Sequence, residues 1–366
     1  MKIAIIELHY HEEFIHTLIQ LFKNDSIKVF TTKAVYNNLP EESKHKANFA
    51  FKHPNQKVKC FLSKIPTEEY DYLFMNTIQP SMIDIPKYIN FKPKCPSCLT
   101  IHNLNGWHNK KIVLRKNLFH SADSFVASFY TKKLANNFDT INVVYEPMIS
   151  YAKSYFPHHR IINIPYSLTM NKKDVNINRT SDETWFVVPG TFDNRRRDYM
   201  PVFEAYLNTK LKYDDIKLVI LGRYPFNNSV INAFAESGDV ILFDKFVPRD
   251  EYDFYLRNAD FIICPSVEKS HTVNCVDELY GKTKSPNVHE AIKWRKPLMI
   301  PSHIPVPTNI EKAVLSYAGT EHLEQLMEHA IKHKQNHKKF AGQNNYYTTQ
   351  KVYKRLSDML FKEIGK

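Results

Sequence analysis

The chain has 366 residues, 43% hydrophobic and 13% aromatic, with a formal net charge of +12. That length exceeds one small core and favours two domains, and the apolar content excludes a disordered chain. The basic surplus asks for anionic company, whether nucleic acid, an acidic membrane face or a phosphorylated substrate.

The opening "MKIAIIELHYHEEF" meets acidic residues too early for a signal peptide. No apolar run approaches the roughly 20 residues of a membrane span. Five cysteines, an odd number in a long chain, do not make a disulfide framework. The expectation is a cytoplasmic protein, at most peripheral at the inner membrane face.

"KIAIIEL" reads as a strand buried on both faces, and Phe14, Ile15, Leu18, Ile19 and Phe22 then recur at helical spacing. "IKVFTT", "DYLFMN", "CLTIHN" and "SFVASF" read as further strands with helical or polar stretches between them. Such alternation predicts a doubly wound parallel sheet. From about Ile162 to Thr184 the pattern lapses into an Asn- and Lys-rich connection. It restarts with "TWFVVPG", "KLVILG", "VILFDKF", "DFIICPS" and "KPLMIP", separated by the helical segments "MPVFEAYL", "SVINAFAES", "DEYDFYLRN" and "NVHEAIKW". "TEHLEQLMEHAIKHKQ" is a further helix, and the tail is a last one, with Val352, Leu356, Leu360 and Ile364 on one face. The predicted architecture is α/β, two Rossmann-like domains facing across a cleft. An N-terminal domain spans 1–165, a C-terminal domain 166–345, and a helix over 346–366 packs back toward the first domain.

Eight glycines are few for this length, and three follow strands of the second half beside cations, in "PGTFDNRRRDY", "LGRYP" and "YGKTKSP". Loops at the carboxyl ends of parallel strands line the ligand crevice. Gly190, Arg195, Arg196, Arg197, Arg223, Lys282 and Lys284 are therefore expected along one rim, where they suit a diphosphate. Ser285 is a good N-cap and Pro286 a favoured first helical residue, so the helix starting there offers free N–H groups and a positive dipole end to an anion. Gly281 lets the loop approach closely, and Glu290 in the first turns suits the vicinal hydroxyls of a ribose. The bland alternative for the arginines and lysines is a solvated basic patch, and for Glu290 an exposed helix position.

Taken in order, "VVPGTFDNRRRDY", "LVILGRY", "VILFDKFVPRDEYDFYLRNADFIICPS" and "YGKTKSPNVHEAIKWRKPLMIP" resemble the donor half of GT-B glycosyltransferases, specifically the glycogen-synthase-like retaining group, glycosyltransferase family 4-like. The resemblance covers roughly residues 184 to 301. It implies transfer of a sugar from a UDP- or GDP-sugar donor to a glycan, lipid-linked or other acceptor, as in polysaccharide biosynthesis. It implies a retaining course without metal or other cofactor, the departing phosphate acting as base. It places Gly190, Arg196 and Arg197 at the diphosphate. Phe246 and Val247 flank the nucleobase, the backbone over Ser285, Pro286, Asn287 and Val288 cradles the distal phosphate with its free amides, and Glu290 holds the ribose. The family's paired glutamates are spaced E-x7-E, but Lys282 stands where the first belongs. Glu268 or Glu278 is available as a substitute from the same long loop, or Lys282 acts on phosphate directly.

In the first half, His102 at the end of "CLTIHN" is a candidate catalytic group beside Arg196 and Lys282, with a satisfied core histidine as the plain alternative. Trp107 is a candidate sugar-stacking ring, and His9 and His11 occupy the matching rim as acceptor contacts. Cys95 and Cys98 have C-x2-C spacing without a second pair, and "HYHEEFIH" contains no H-E-x-x-H. The Lys and His run near 332–339 reads as a solvated helix face, with contact to an anionic membrane the minor alternative. A nucleotide-sugar 2-epimerase on the same plan and a basic nucleic-acid-binding protein are the rivals. No nucleic acid is expected, because aromatic-basic stacking motifs are missing. A dehydrogenase is disfavoured because no G-x-G-x-x-G follows the first strand.

Overall fold

The computed structural model describes residues 1–107, 118–171, 182–224, 232–233, 236, 240–271, 277–279, 282–283 and 286–361. The chain divides into two compact units. The first comprises Met1–Ser167, His271–Lys284 and Thr349–Lys366, and the second Leu168–Ser270 and Ser285–Thr348. The segment 271–284, assigned from sequence to the second domain, is thus built into the first unit.

The first unit holds seven strands: β1 (Lys2–Glu7), β2 (Ser26–Thr31), β3 (Asn48–Phe51), β4 (Tyr72–Met75), β5 (Ser97–Ile101), β6 (Thr140–Val143) and β7 (Arg160–Asn163). They pair in parallel in the order β3-β2-β1-β4-β5-β6-β7. Parallel strands need helical crossovers on the sheet faces, which is why β1, β4 and β5 are apolar without alternation. The helix Glu12–Leu21 buries Phe14, Ile15, Leu18 and Ile19, the stripe its spacing predicts. Along the C-terminal helix Thr349–Leu356, Val352 and Leu356 are buried, and Phe361 beyond it meets Phe22 and Tyr72.

In the second unit β8 (Thr184–Pro189), β9 (Ile216–Arg223), β10 (Val240–Phe243), β11 (Phe261–Ile263), β14 (Leu298–Pro301) and β15 (Val314–Tyr317) form a parallel sheet of order β10-β9-β8-β11-β14-β15. Between β11 and β14 the chain forms two short strands, β12 (Lys269–His271) and β13 (Asp277–Leu279), the latter within the first unit. Phe186, Phe203, Phe261, Leu323 and Met327 lie in one buried cluster with helices Met200–Lys210 and Gly319–Lys332. Both large sheets reverse strand order beside their first strand, so each has a switch point at its centre: β1 against β4, and β8 against β11. Ligand crevices form at the carboxyl ends of strands at such points. The architecture is two Rossmann-like domains.

One strand was misread. "SFVASF" belongs to the helix Leu118–Ala135, in which Ala127, Thr131, Leu134 and Ala135 are buried while Phe129 is exposed. The buried positions recur every three or four residues, and their small side chains hide that period from an apolar count. β3, β6, β7 and β15 were not anticipated. The segment "SVINAFAES" and residues 172–181 of the Asn- and Lys-rich connection lie largely or wholly outside the described residues.

Phe203 is fully buried in the second unit's core. Phe203→Ala is expected to cost about 3–5 kcal/mol of stability through lost contacts and the cavity left behind, measured by urea unfolding.

Candidate functional site

At the switch point of the second unit, the loop leaving β8 and the loop leaving β11 zip together. Arg197 and Ser266 form an antiparallel bridge, Asp198 N donates to Pro265 O at 2.8 Å, and Val267 N donates to Arg196 O at 3.2 Å. This turns the Arg197 side chain inward. Its Nη1 donates to Thr191 O at 2.7 Å and to the Tyr199 hydroxyl at 3.1 Å, and its Nη2 donates to Asn287 Oδ1 at 3.1 Å. Asn287, in the first turn of helix Pro286–Trp294, also donates through Nδ2 to Ile263 O at 3.0 Å. One guanidinium therefore joins the β8 exit, the β11 end and a helix start.

Arg197 is only 9% exposed, and its partners among the described residues are all uncharged. A buried cation with neutral neighbours carries an uncompensated charge, which an entering anion would relieve. Glycine makes the geometry possible. Gly190 has φ +96°, and a Cβ there would stand 2.6 Å from Arg197 Nη2. A Cβ on Gly222 would stand 2.2 Å from Gly190 O, so both loops pass closer than any side chain permits.

The other expected donor residues distribute unevenly. Arg195 is not a free rim cation: its Nε and Nη2 donate to Asp193 at 2.9 and 2.8 Å on the exposed surface. The carboxylate two residues earlier claims the first of the three consecutive arginines. Arg196 is half-buried beside the β11 loop, and Arg223 is exposed at the end of β9. Phe246 is 85% exposed, whereas Val247 is buried. Val288 is buried and Glu290 half-buried on the helix that begins at Pro286. Gly281, Lys284 and Ser285 lie outside the described residues, as does the Pro286 side chain.

Lys282 departs most from expectation. It stands in the first unit, where its carbonyl accepts from Leu104 N at 2.8 Å and its ammonium lies 5.0 Å from the centre of the Tyr151 ring. Next to it, Thr283 bridges Asn103 and its hydroxyl reaches the His102 carbonyl at 3.4 Å. Two expected catalytic residues, His102 and Lys282, thus come from one neighbourhood of the first unit. A loop's docking partner is set by such long-range backbone bonds, which spacing does not reveal.

At the carboxyl edge of the first sheet, the His102 ring stacks on His11, with centroids 3.8 Å apart and planes 16° from parallel. Phe14 meets the His102 ring edge-on, and His11 Nδ1 lies 3.4 Å from the Tyr166 hydroxyl. His9 Nε2 pairs with the Tyr88 hydroxyl at 3.0 Å, and burial lowers its imidazole pKa against the pull of Asp84. Trp107 is not the open stacking ring its loop position suggested. It is 4% exposed and packs edge-on against Phe156, and its carbonyl accepts from Thr131. Cys95 and Cys98 are free thiols, and burial pushes both pKa values up, that of Cys95 to about 11, so neither is a ready thiolate. Among the described residues no group of three His, Cys, Asp or Glu is placed to hold a metal.

Glu7 is a site residue that no motif or spacing singles out. It ends β1 and is fully buried, with Oε1 accepting from His9 N at 2.7 Å and Oε2 from the Thr77 hydroxyl at 2.6 Å. It thereby pins the loops leaving β1 and β4, which Gln79 Nε2 and the Tyr10 hydroxyl join again at 2.7 Å. Burial raises its pKa to about 7, the hydrogen bonds from Thr77, His9 and Tyr10 opposing. Asn76, also fully buried, follows β4, and neither atom of its amide finds a hydrogen-bond partner among the described residues. Buried titratable groups at a switch point mark functional sites. The available signal was a carboxylate ending an apolar run, which reads on sequence as a solvated rim.

No family model matches the sequence, and no curated protein matches it. Solved structures do. A glycosyltransferase from Rickettsia africae ESF-5 is 11% identical with a TM-score of 0.63, covering 100% of this chain and 98% of its own. MnaA of S. aureus, solved with UDP, is 12% identical with a TM-score of 0.57 over 100% and 97%. A candidate UDP-N-acetylglucosamine 2-epimerase from Listeria monocytogenes is 14% identical with a TM-score of 0.54 over 100% and 97%. At these identities the likeness establishes the fold, two Rossmann-like domains of the GT-B kind.

Because the Glu7 pKa rises from 4.5 to about 7, folding favours its protonated form. That contribution is complete below about pH 4.5 and is lost as pH climbs through about 7. Its full size is on the order of 3 kcal/mol. Glu7→Gln removes the ionisation, so its melting temperature is expected to gain on wild type between pH 5 and pH 8, followed by thermal scanning. A constant difference across that range would contradict the assignment.

Proposed function

We propose that the protein is a glycosyltransferase that takes a sugar from a nucleotide-diphosphate donor held by the second unit and passes it to an acceptor held by the first. The observation that carries this reading is Arg197, buried among neutral partners between a glycine-led loop and the start of a helix. A diphosphate supplies the missing negative charge there. Arg196 and Arg223 add cations, and the backbone amides of Asn287 and Val288 add the helix-start field. Gly190 leaves room for the phosphates. The exposed Phe246, with Val247 next in the chain, offers a face to the nucleobase, and Glu290 accepts from the ribose hydroxyls.

Sugar transfer requires the departing diphosphate to be stabilised as charge builds on its leaving oxygen. Preorganised donors do this because they need no reorganisation at the moment of reaction. Removing one such donor costs about 3–4 kcal/mol of barrier. The acceptor hydroxyl is placed near the His11–His102 pair and His9. A retaining, metal-independent course, with the departing phosphate as base and Lys282 in place of the first glutamate of E-x7-E, belongs to the same proposal. So do a UDP- or GDP-sugar donor, a glycan or lipid-linked acceptor, a role in polysaccharide biosynthesis and a cytoplasmic location.

The second reading is a nucleotide-sugar 2-epimerase, favoured by the likeness to the Listeria structure. Epimerisation yields an isomer of the sugar without need of an acceptor, so product analysis by NMR separates the two.

Arg197→Ala is expected to weaken UDP or GDP binding by about 10- to 100-fold, the range of one charge-assisted contact, with the fold retained. Gly190→Ala is expected to do the same by displacing Arg197. Calorimetry giving unchanged affinity in both variants would remove the donor site from this position.

A further inference from the structure

The first unit carries two adjoining hollows at the edge opposite its candidate site. One, of about 440 Å³, is walled by Lys59, Lys64, Lys87, Lys92 and Lys94, with Glu68 the carboxylate among its lining residues. Lys87 is paired with Asp84 and Lys94 with Glu68, whereas Lys59, Lys64 and Lys92 have no ion pair among the described residues. The second, of about 690 Å³, shares Lys94 and adds His158 and Arg160. Its carboxylate among the lining residues, Asp139, accepts from the amide and hydroxyl of Ser97 and is outnumbered there by the cations Lys94 and Arg160.

The placement is set by the sheet. Tyr72, Ser97, Thr140 and Arg160 line the second hollow and are the first residues of β4, β5, β6 and β7. These strands are consecutive neighbours in the sheet. At about 4.8 Å per strand the hollow runs about 14 Å beneath them, and the lysine-walled hollow extends it from Lys94. That length exceeds one phosphate. The apolar surfaces of Leu62, Ile65 and Phe91 beside the lysines reduce screening of their charge.

We propose that these hollows form one groove that binds an extended phosphate-bearing chain, a second anion site independent of the nucleotide-diphosphate reading. A recess suits phosphate groups that enter it, whereas a membrane presents a plane of headgroups. The aromatic stacking faces that a nucleic acid requires are scarce there, since Tyr72 is buried.

The test is fluorescence anisotropy with labelled inorganic polyphosphate at several salt concentrations. Two triple variants are compared. One is Lys59→Glu with Lys64→Glu and Lys92→Glu. The other is Lys312→Glu with Lys332→Glu and Lys339→Glu, the same charge change at exposed sites of the second unit. The groove variant is expected to lose about tenfold or more in affinity and to show a shallower salt dependence. The control is expected to stay within about twofold of wild type. Orthophosphate is expected to compete only at far higher concentration. A Lys→Gln version of the groove triple guards against loss through misfolding and is expected to show the same direction. Equal losses in both triples would reduce the effect to bulk charge and overturn the groove. Absence of polyphosphate binding to wild type would overturn it as well. Sedimentation with phosphatidylglycerol vesicles, but no affinity for soluble polyphosphate, would overturn the chain in favour of a lipid surface.

Discussion

A guanidinium taken out of water without a counter-charge is the constraint around which the second unit is organised. Arg197 spends its hydrogen bonds on Thr191, Tyr199 and Asn287, and each of those bonds fixes a different element. Thr191 belongs to the glycine-led turn, Tyr199 stacks on Phe192 at 4.0 Å, and Asn287 carries the helix start to the end of β11. Hydrogen bonds satisfy the geometry of the group but leave its charge. The same contacts that order the loop therefore keep it receptive to an anion, so fold and affinity draw on one interaction.

The first unit solves a different problem at the same position of its sheet. There a carboxyl, not a cation, ends the first strand, and its pKa near 7 means that its charge changes under ordinary conditions. Glu7 accepts from a backbone amide in one loop and a hydroxyl in the next, so its ionisation acts on the joint between them. The stacked His11 and His102 stand on the same edge. Two switch points of equal topology have thus been furnished with opposite chemistry, a permanent positive charge in one and exchangeable protons in the other.

Much of this was legible in the residues. Parallel strands buried on both faces announce themselves as apolar runs, and "TWFVVP", "LVIL" and "FIIC" were read in place. The glycine at 190 followed by arginines pointed to the loop that holds Arg197, because backbone at positive φ beside cations has few other uses. What stayed hidden depends on contacts distant in the chain. Burial of Glu7 is decided by Thr77 and the loop after β4, and the placement of Lys282 by the amide of Leu104. The pairing of Arg195 with Asp193 was local and overlooked. "SFVASF" misled because small residues, Ala127 and Thr131, carry the buried face while the bulky Val126 and Phe129 face outward.

The insertion of residues 271–284 into the first unit has a practical corollary. The polypeptide passes between units at 167–168, 270–271, 284–285 and 348–349, so neither half is a continuous stretch of gene. A truncation that ends near residue 167 forfeits both the backbone partner of Leu104 and the terminal helix that covers Phe22. Isolating the arginine-bearing half means excising the inserted stretch between Ser270 and Ser285. Any dissection of the molecule into separately produced parts has to respect that weave.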